Sequence, residues 1–245
     1  MASVQDQEGR KGIMSAGRFG PRRGLFGTMV FSTILCASWI LLPGGTVRGE
    51  DMNEIRLPKP RTKGVVSVEE AIQKRRSVRS FSAKEVSLED ISQLLWAAQG
   101  ITDERRGFRS VPSAGAIYPL EVYLVKSDGV FRYDPPTHSL CPISRGNAKG
   151  ELALACLGQR YVADASIDIV IAADYAKAVS KYGTRGTRYT DMEAGHAAQN
   201  VFLVAAVLGL DSVPIGAFAD ETVSRLLRLP DGVKPLYILP VGYKK

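Results

Sequence analysis

Residues 112–125 read PSAGAIYPLEVYLV, and the fold class turns on this stretch. Its first half places small residues between two prolines, so the backbone can approach a flat ligand closely. Its second half, Leu120 to Val125, alternates as a strand does. Asp128-Gly129 then turns the chain into a partner strand, Val130 to Asp134, and Pro135-Pro136 ends it.

Working outward, the stretch sits among helices and strands with no regular βαβ rhythm. Ser67 with Glu70 forms a capping box that opens a helix running to Arg76. Ser87 caps a second helix with Leu88, Ile91, Leu94, Leu95 and Ala98 on one face, and Gly100 stops it. A helix over Ala148–Gly158 and a buried strand over Ile167–Ile171 follow. The longest helix is expected over Thr187–Leu208. Its second half, Val201 to Leu208, is nearly all apolar, which predicts a central core helix. Strand-like Ser212–Ile215, a short helix from Asp220 to Leu227 and a last strand over Leu236–Val241 complete the chain. The pattern predicts an α+β layered domain over residues 65–245 rather than a doubly wound sheet.

The 245-residue chain has the composition of a globular protein, 45% hydrophobic and 23% charged. Its formal charge is +7. Residues 1–49 hold Arg10, Lys11, Arg18, Arg22, Arg23 and Arg48 against Asp6 and Glu8, so much of the surplus lies there. No basic stripe interleaves with aromatics, which argues against nucleic acid. Leu25 to Leu42 is free of charge, and a Pro43-Gly44-Gly45 break and small residues follow. That order predicts an export signal, or an uncleaved N-terminal membrane anchor, over residues 1–49. Pro21-Arg22-Arg23-Gly24-Leu25-Phe26 resembles a twin-arginine signal. Residues 50–64 are charged and proline-bearing and read as a linker. Membrane contact is then expected only through the N-terminal segment, with the domain alone soluble. Cys141 and Cys156 make no disulfide framework.

Three stretches carry chemistry. Arg75-Arg76-Ser77-Val78-Arg79 offers three guanidiniums and a hydroxyl within five residues, a set suited to a dianion. Cations at a helix C-terminus are also favoured by the dipole, so a solvated helix end reads equally well. In Pro112-Ser113-Ala114-Gly115-Ala116-Ile117-Tyr118-Pro119 a Ser hydroxyl and loop amides can bond to ring carbonyls and nitrogens; the bland alternative is a tight turn. Pro214-Ile215-Gly216-Ala217-Phe218 follows a strand and exposes backbone amides, or is simply a loop. Glu193, His196, Gln199 and Asn200 suggest a buried polar network on the long helix. Glu-x-x-His is also half of a di-iron signature, but the chain has two His and no second such motif, so no metal is expected.

These three stretches, in this order, resemble the nitroreductase superfamily. The resemblance covers residues 65–245. Within the superfamily the chain looks closest to the streptolysin S-type, thiazole/oxazole-forming dehydrogenase branch. That likeness rests on residues 113–123 and on Tyr182-Gly183-Thr184-Arg185-Gly186-Thr187-Arg188-Tyr189. It rests also on Glu193-Ala194-Gly195-His196-Ala197-Ala198-Gln199-Asn200.

The resemblance implies a nitroreductase-like fold, a mixed and mainly antiparallel sheet flanked by helices, and an FMN cofactor in a homodimer. It implies that Arg75, Arg76, Ser77 and Arg79 hold the phosphate, ribityl chain and pyrimidine edge. By the same resemblance Lys244, after the last strand, would be a further phosphate ligand. Pro112, Ser113 and Ala114 would reach FMN from the other subunit, and Pro214, Ile215, Gly216 and Ala217 would lie near the flavin N5. Lys181-Tyr182 matches a Lys-Tyr pair implicated in catalysis in azole-forming members; an exposed loop is the other reading. The implied activity is hydride transfer through N5 between a donor, NAD(P)H or a substrate, and an acceptor. The substrate is a small molecule or a peptide. Alternatives are an azoline-to-azole dehydrogenase acting on a modified peptide, a flavin-binding protein without turnover, and a membrane-tethered interaction protein. Two features depart from the family: the chain stops just after the last strand, and peptide-modifying members lack an export-like leader.

Overall fold

The computed structural model of the protein describes residues 53–245. The export signal or anchor expected over residues 1–49 lies outside the described residues. No described helix is long and apolar enough to cross a membrane.

Seven strands form one sheet in the order β1-β6-β5-β4-β7-β9-β8. They are β1 (Ile55–Arg56), β4 (Leu120–Lys126), β5 (Gly129–Asp134), β6 (Ser139–Arg145), β7 (Ile167–Asp174), β8 (Asp211–Ser212) and β9 (Val233–Gly242). Each pairing in this sheet is antiparallel. A separate hairpin joins β2 (Ile101–Asp103) to β3 (Phe108–Arg109). The α+β reading and the antiparallel sheet therefore hold. The Asp128-Gly129 turn pairs β4 with β5 as expected, with Lys126 opposite Gly129.

The interior strand β7 explains the layering. Side chains alternate across a strand, so Ile167, Ile169 and Ile171 enter one core and Val170 and Ala172 the other. Helices α2 (Leu88–Gln99) and α6 (Arg185–Val207) cover the first face through Leu94, Leu95, Ala98, Ala194, Ala197, Ala198 and Val201. Helices α3 (Lys149–Ala155), α4 (Arg160–Asp164) and α7 (Asp220–Leu226) cover the second through Leu152, Val162, Val223 and Leu226. Beneath this second face the Lys149 ammonium meets Asp168 at 2.7 Å, both buried. Burial pushes the Asp168 carboxyl up to about 6, against the pull of Lys149.

The two Ser caps read from the sequence are present, but the reciprocal half of the Ser67–Glu70 box is not, because the Glu70 carboxylate takes the Lys74 ammonium at 2.6 Å. Asp220 lies inside α7 rather than capping it. The Ser67 and Ser87 hydroxyls accept from the Glu70 and Asp90 amides at 3.1 Å. They open α1 (Val68–Lys74) and α2, and Gly100 ends α2. β1, the β2–β3 hairpin, β6, α4 and α5 (Tyr175–Tyr182) carry no sequence signal. β6 carries Pro142, and α4 is held by tertiary contacts rather than a capping side chain.

Two expectations need adjustment. The described part of the 50–64 stretch is fastened to the sheet. Ile55 and Arg56 pair with β6, Ser92 Oγ donates to Pro58 O, and the Arg61 backbone exchanges two bonds with the Gln93 side chain. Nothing in its composition signals this, because the partners lie 30 or more residues away. The apolar end of α6 is not buried all round: Val201 and Ala205 are buried, Phe202, Leu203 and Val204 are half-buried, and Val207 is exposed.

Candidate functional site

Arg75 caps the C-terminus of α1. The chain then runs alongside β8 and the end of β9: Ser77 bridges Ser212, the Val78 amide donates to Ser212 O at 3.1 Å, and Phe81 bridges Lys244. This crossing brings Lys244 to the Arg75–Arg79 stretch. Asp211 sits beside it; burial raises its carboxyl and the Lys244 charge pulls it back. Among the described residues the Arg75 and Arg79 guanidiniums make no hydrogen bond or ion pair. Arg76 differs. Its Nη1 donates to Gln73 O at 3.0 Å and Arg75 O at 2.8 Å, so it satisfies carbonyls at the helix end. A cavity of about 140 Å³ lies here, lined by Lys74, Arg75, Arg76, Phe202, Asp211 and Ser212 among others.

The loop after β8 returns to the sheet at one residue. Ile215 exchanges two backbone bonds with Ile238, at 2.9 and 3.0 Å. Gly216 and Ala217 follow, both exposed, and neither amide donates to a described backbone carbonyl. A Cβ on Gly216 would meet nothing within 4 Å. Pro214 is exposed and Ile215 buried, so Ile215 anchors the loop and leaves the Gly216 and Ala217 amides exposed, while Ala217 O accepts from Gln159 Nε2 at 3.5 Å.

The loop 112–119 is strained. A 3₁₀ turn spans Ala114–Ala116, and Gly115, Ala116 and Tyr118 have φ of 61°, 53° and 52°. Two of these are non-glycine residues in the left-handed region, which costs of order 1 kcal/mol or more each. The Tyr118 amide donates to Ser113 Oγ at 2.9 Å and closes the loop. Gly115 is needed for space as well as for φ. A Cβ there would lie 2.5 Å from Tyr182 Oη and 2.6 Å from Lys181 Nζ. The two head groups of the Lys-Tyr pair thus meet over Gly115, and an unrelated exposed loop is no longer the description.

Their carrier, α5, is fixed by packing on α6. A Cβ on Gly186 would lie 2.5–2.6 Å from backbone atoms of Ala178 and Val179, so only glycine permits that approach. Tyr182 also stacks edge-on against Tyr189, with centroids 5.3 Å apart.

Beneath the loop lies a polar cluster that is only partly legible from residue types and spacing. Glu193 is 3% exposed. The Arg109 guanidinium donates to Gln99 Oε1 at 2.8 Å and lies 4.7 Å over the Tyr118 ring. The Arg109 amide donates to Tyr118 Oη at 3.2 Å. Of the four helix residues expected as a network, Glu193 and Asn200 face inward, Asn200 donating to Ala97 O and Ser110 O. His196 and Gln199 are exposed and take no part. Gln99 and Arg109 carry no sequence signal because each is a single polar residue in a separate element, and nothing in the 112–119 stretch ties Tyr118 to them.

Two groups of site residues result. Arg75, Arg79, Lys244 and Ser77 lie where β7 and β9 pair at Ile167 and Val241. Ser113, Gly115, Lys181 and Tyr182 lie at the other end, where Leu120 pairs Ala173 and the Asp174 amide donates to Pro119 O. Six strand residues separate the ends, about 20 Å. The first group also borders the C-terminal turns of α6, at Phe202 and Ala206. The second meets its N-terminal half, at Gly186 and Tyr189.

The chain is similar to known proteins in sequence and in fold. A sequence model described as "Nitroreductase family" matches residues 72–243. The nitroreductase-type protein MJ1384 of Methanocaldococcus jannaschii is 44% identical over 200 residues, covering 79% of this chain and 98% of that one. The microcin B17-processing protein McbC of Escherichia coli is 28% identical over 165 residues, covering 62% of this chain and 61% of its own length. The crystal structure of a nitroreductase-type protein from Ralstonia eutropha superposes with a TM-score of 0.72 at 27% identity, covering 78% of this chain and 90% of that one.

Proposed function

The chain belongs to the nitroreductase family, and we propose that it is an FMN-dependent oxidoreductase passing electrons from NAD(P)H or a substrate to an acceptor. The observation that carries this reading is the pair of unpartnered guanidiniums, Arg75 and Arg79, on the segment bridged to Ser212 and Lys244, with the exposed Gly216-Ala217 amides following in the chain after Ser212. A dianionic phosphate suits the first element, and a flat polar ring suits the second. Bound FMN would supply hydride acceptance and donation at its N5, chemistry no side chain of the protein offers.

The protein's part is placement. Arg75, Arg79 and Lys244 bind the phosphate, with Ser77 and Arg76 flanking. The Gly216 and Ala217 amides orient the ring edge, and Pro214 and Ile215 hold that loop in register. Pro112, Ser113 and Ala114 close on the ring from a second subunit. Lys181 Nζ or Tyr182 Oη holds the proton that accompanies a two-electron step. The homodimer belongs to this reading, because it brings the two ends together. An antiparallel pair of chains sets the cation end of one against the Ser113–Tyr182 end of the other. An apolar groove of about 320 Å³ lined by Val66, Val68, Ala71, Trp96, Leu203 and Val207 supports such packing.

The likeness to McbC and the meeting of Lys181 and Tyr182 over Gly115 favour one second reading, oxidation of a peptide azoline to an azole. Both readings share the site and differ in donor. Anaerobic addition of NADPH or NADH to purified yellow protein, followed by a quinone or nitroaromatic, separates them. Bleaching and catalytic recovery of colour supports the first reading. Dithionite bleaching without turnover of any such pair, with dehydrogenation of an azoline peptide, supports the second. A colourless protein that takes up no FMN sinks both. Export through residues 1–49 is proposed alongside; an alkaline phosphatase fusion after residue 49 that stays inactive in cells removes it.

A further inference from the structure

Glu193 is a buried acid for which the proposed chemistry has no use. It is 3% exposed on α6, directly beneath the strained loop. Its Oε1 and the nearby Gln99 Nε2 are both buried and make no hydrogen bond among the described residues. Burial pushes its carboxyl up, and the Ser113 hydroxyl, the Gln99 amide and the Arg109 charge bear on it in the other direction. The Gln99 amide does so without closing a bond, since Gln99 Oε1 is turned to Arg109. A buried carboxylate lacking a full set of partners is costly, and natural cores seldom keep one without a reason.

The reason lies in the chain of bonds above it. Ser113 Oγ accepts from the Tyr118 amide, and Tyr118 Oη accepts from the Arg109 amide. With one lone pair so engaged, the Ser113 hydroxyl keeps its proton to donate. The buried Glu193 carboxyl, which that hydroxyl pulls down and whose Oε1 has no partner among the described residues, is the acceptor at hand. Fixing that rotamer fixes the closure between residues 113 and 118. The closure in turn holds the left-handed turn at Gly115, against which Lys181 and Tyr182 rest.

We propose that Glu193 is a positioning residue: by accepting from Ser113 it locks the 113–118 turn and so sets where Ser113, Lys181 and Tyr182 stand. The inference rests on the flavin-site reading for its consequence, but its test is independent of any flavin.

Amide hydrogen exchange at Tyr118, measured on the full chain without added flavin, reads the lock directly. Glu193→Leu removes the acceptor while filling the space. The Tyr118 amide should exchange about tenfold faster, the loss expected for one hydrogen bond. The melting temperature should not fall, because an unpaired buried oxygen has gone. Glu193→Gln keeps an acceptor and should leave the exchange near the wild-type rate. A merely structural role would not separate these two variants in exchange while leaving melting untouched. Ser113→Ala deletes the acceptor of the Tyr118 amide itself and sets the full acceleration against which Glu193→Leu is compared; Glu193→Met keeps the test open if the Leu variant fails to fold. Unchanged Tyr118 exchange in Glu193→Leu or Glu193→Met, or equal acceleration in the Gln and Leu variants, overturns the proposal. Loss of FMN uptake by the wild-type protein would instead overturn the flavin reading and leave this result standing.

Discussion

The two groups of site residues are built on opposite plans. Around Arg75, Arg79 and Lys244 the side chains carry the recognition: they are cationic, unpartnered and accessible, and the backbone is ordinary. Around Ser113 and Gly115 the backbone carries it. Three residues hold positive φ, and the side chains nearby are tied to one another or buried. The first plan suits a charged ligand group that diffuses in with its own solvation. The second suits a surface that must keep its shape while another subunit or a substrate docks against it. The difference also says what each end should tolerate: loss of charge at one, loss of space at the other.

The largest effect expected from this contrast is complementation between subunits. Arg75→Ala/Arg79→Ala and Lys181→Ala/Tyr182→Phe should each be inactive alone with a donor–acceptor pair that the wild type turns over. Unfolded and refolded together, they should recover about a quarter of wild-type activity, because half the dimers then carry one intact site. No recovery from verified mixed dimers would mean that both groups serve a site within one chain.

Next is Gly186→Ala. The added methyl must displace backbone of Ala178 or Val179. Such overpacking costs about 1–3 kcal/mol, seen as a melting temperature lower by several degrees. A variant as stable as wild type would show that α5 and α6 are not held so closely.

Gly115→Ala meets flexible side-chain tips instead, so it should cost only about 1 kcal/mol of stability, mostly from the positive φ. Activity should fall while FMN affinity stays, since only Lys181 and Tyr182 move. Equal losses in both would erase the distinction between the two ends.

The smallest effect belongs to Arg76→Ala. Its guanidinium already caps Gln73 O and Arg75 O. FMN affinity should change by less than about 0.5 kcal/mol, and a loss as large as that of Arg75→Ala would return Arg76 to the phosphate site.

How much of this was legible follows the same division. The cation cluster shows in sequence because phosphate recognition demands side-chain types that stand out at short spacing. Lys244 could be placed with it only through family likeness, since its neighbour Phe81 lies 163 residues earlier and meets it by tertiary bridging. The 112–119 loop was visible as a stretch without bulk, but the left-handed φ of Ala116 and Tyr118 was not, because neither residue type favours it. Arg109 and Gln99 gave no signal, as single polar residues in separate elements. β6 went unread since Pro142 interrupts its pattern, and β1 because two residues are too short for a period.

The central claim is that Arg75 and Arg79 grip the phosphate of a flavin mononucleotide. The direct measurement is a fluorescence titration of flavin-free protein with FMN and with riboflavin, which lacks that phosphate. Wild type should prefer FMN strongly, and the double variant Arg75→Ala/Arg79→Ala should lose most of the preference. Each guanidinium is expected to contribute about 1.5–3 kcal/mol through charge-assisted bonds. Equal affinity of the wild-type protein for both flavins, or a preference for FMN untouched by removing both arginines, would contradict the account.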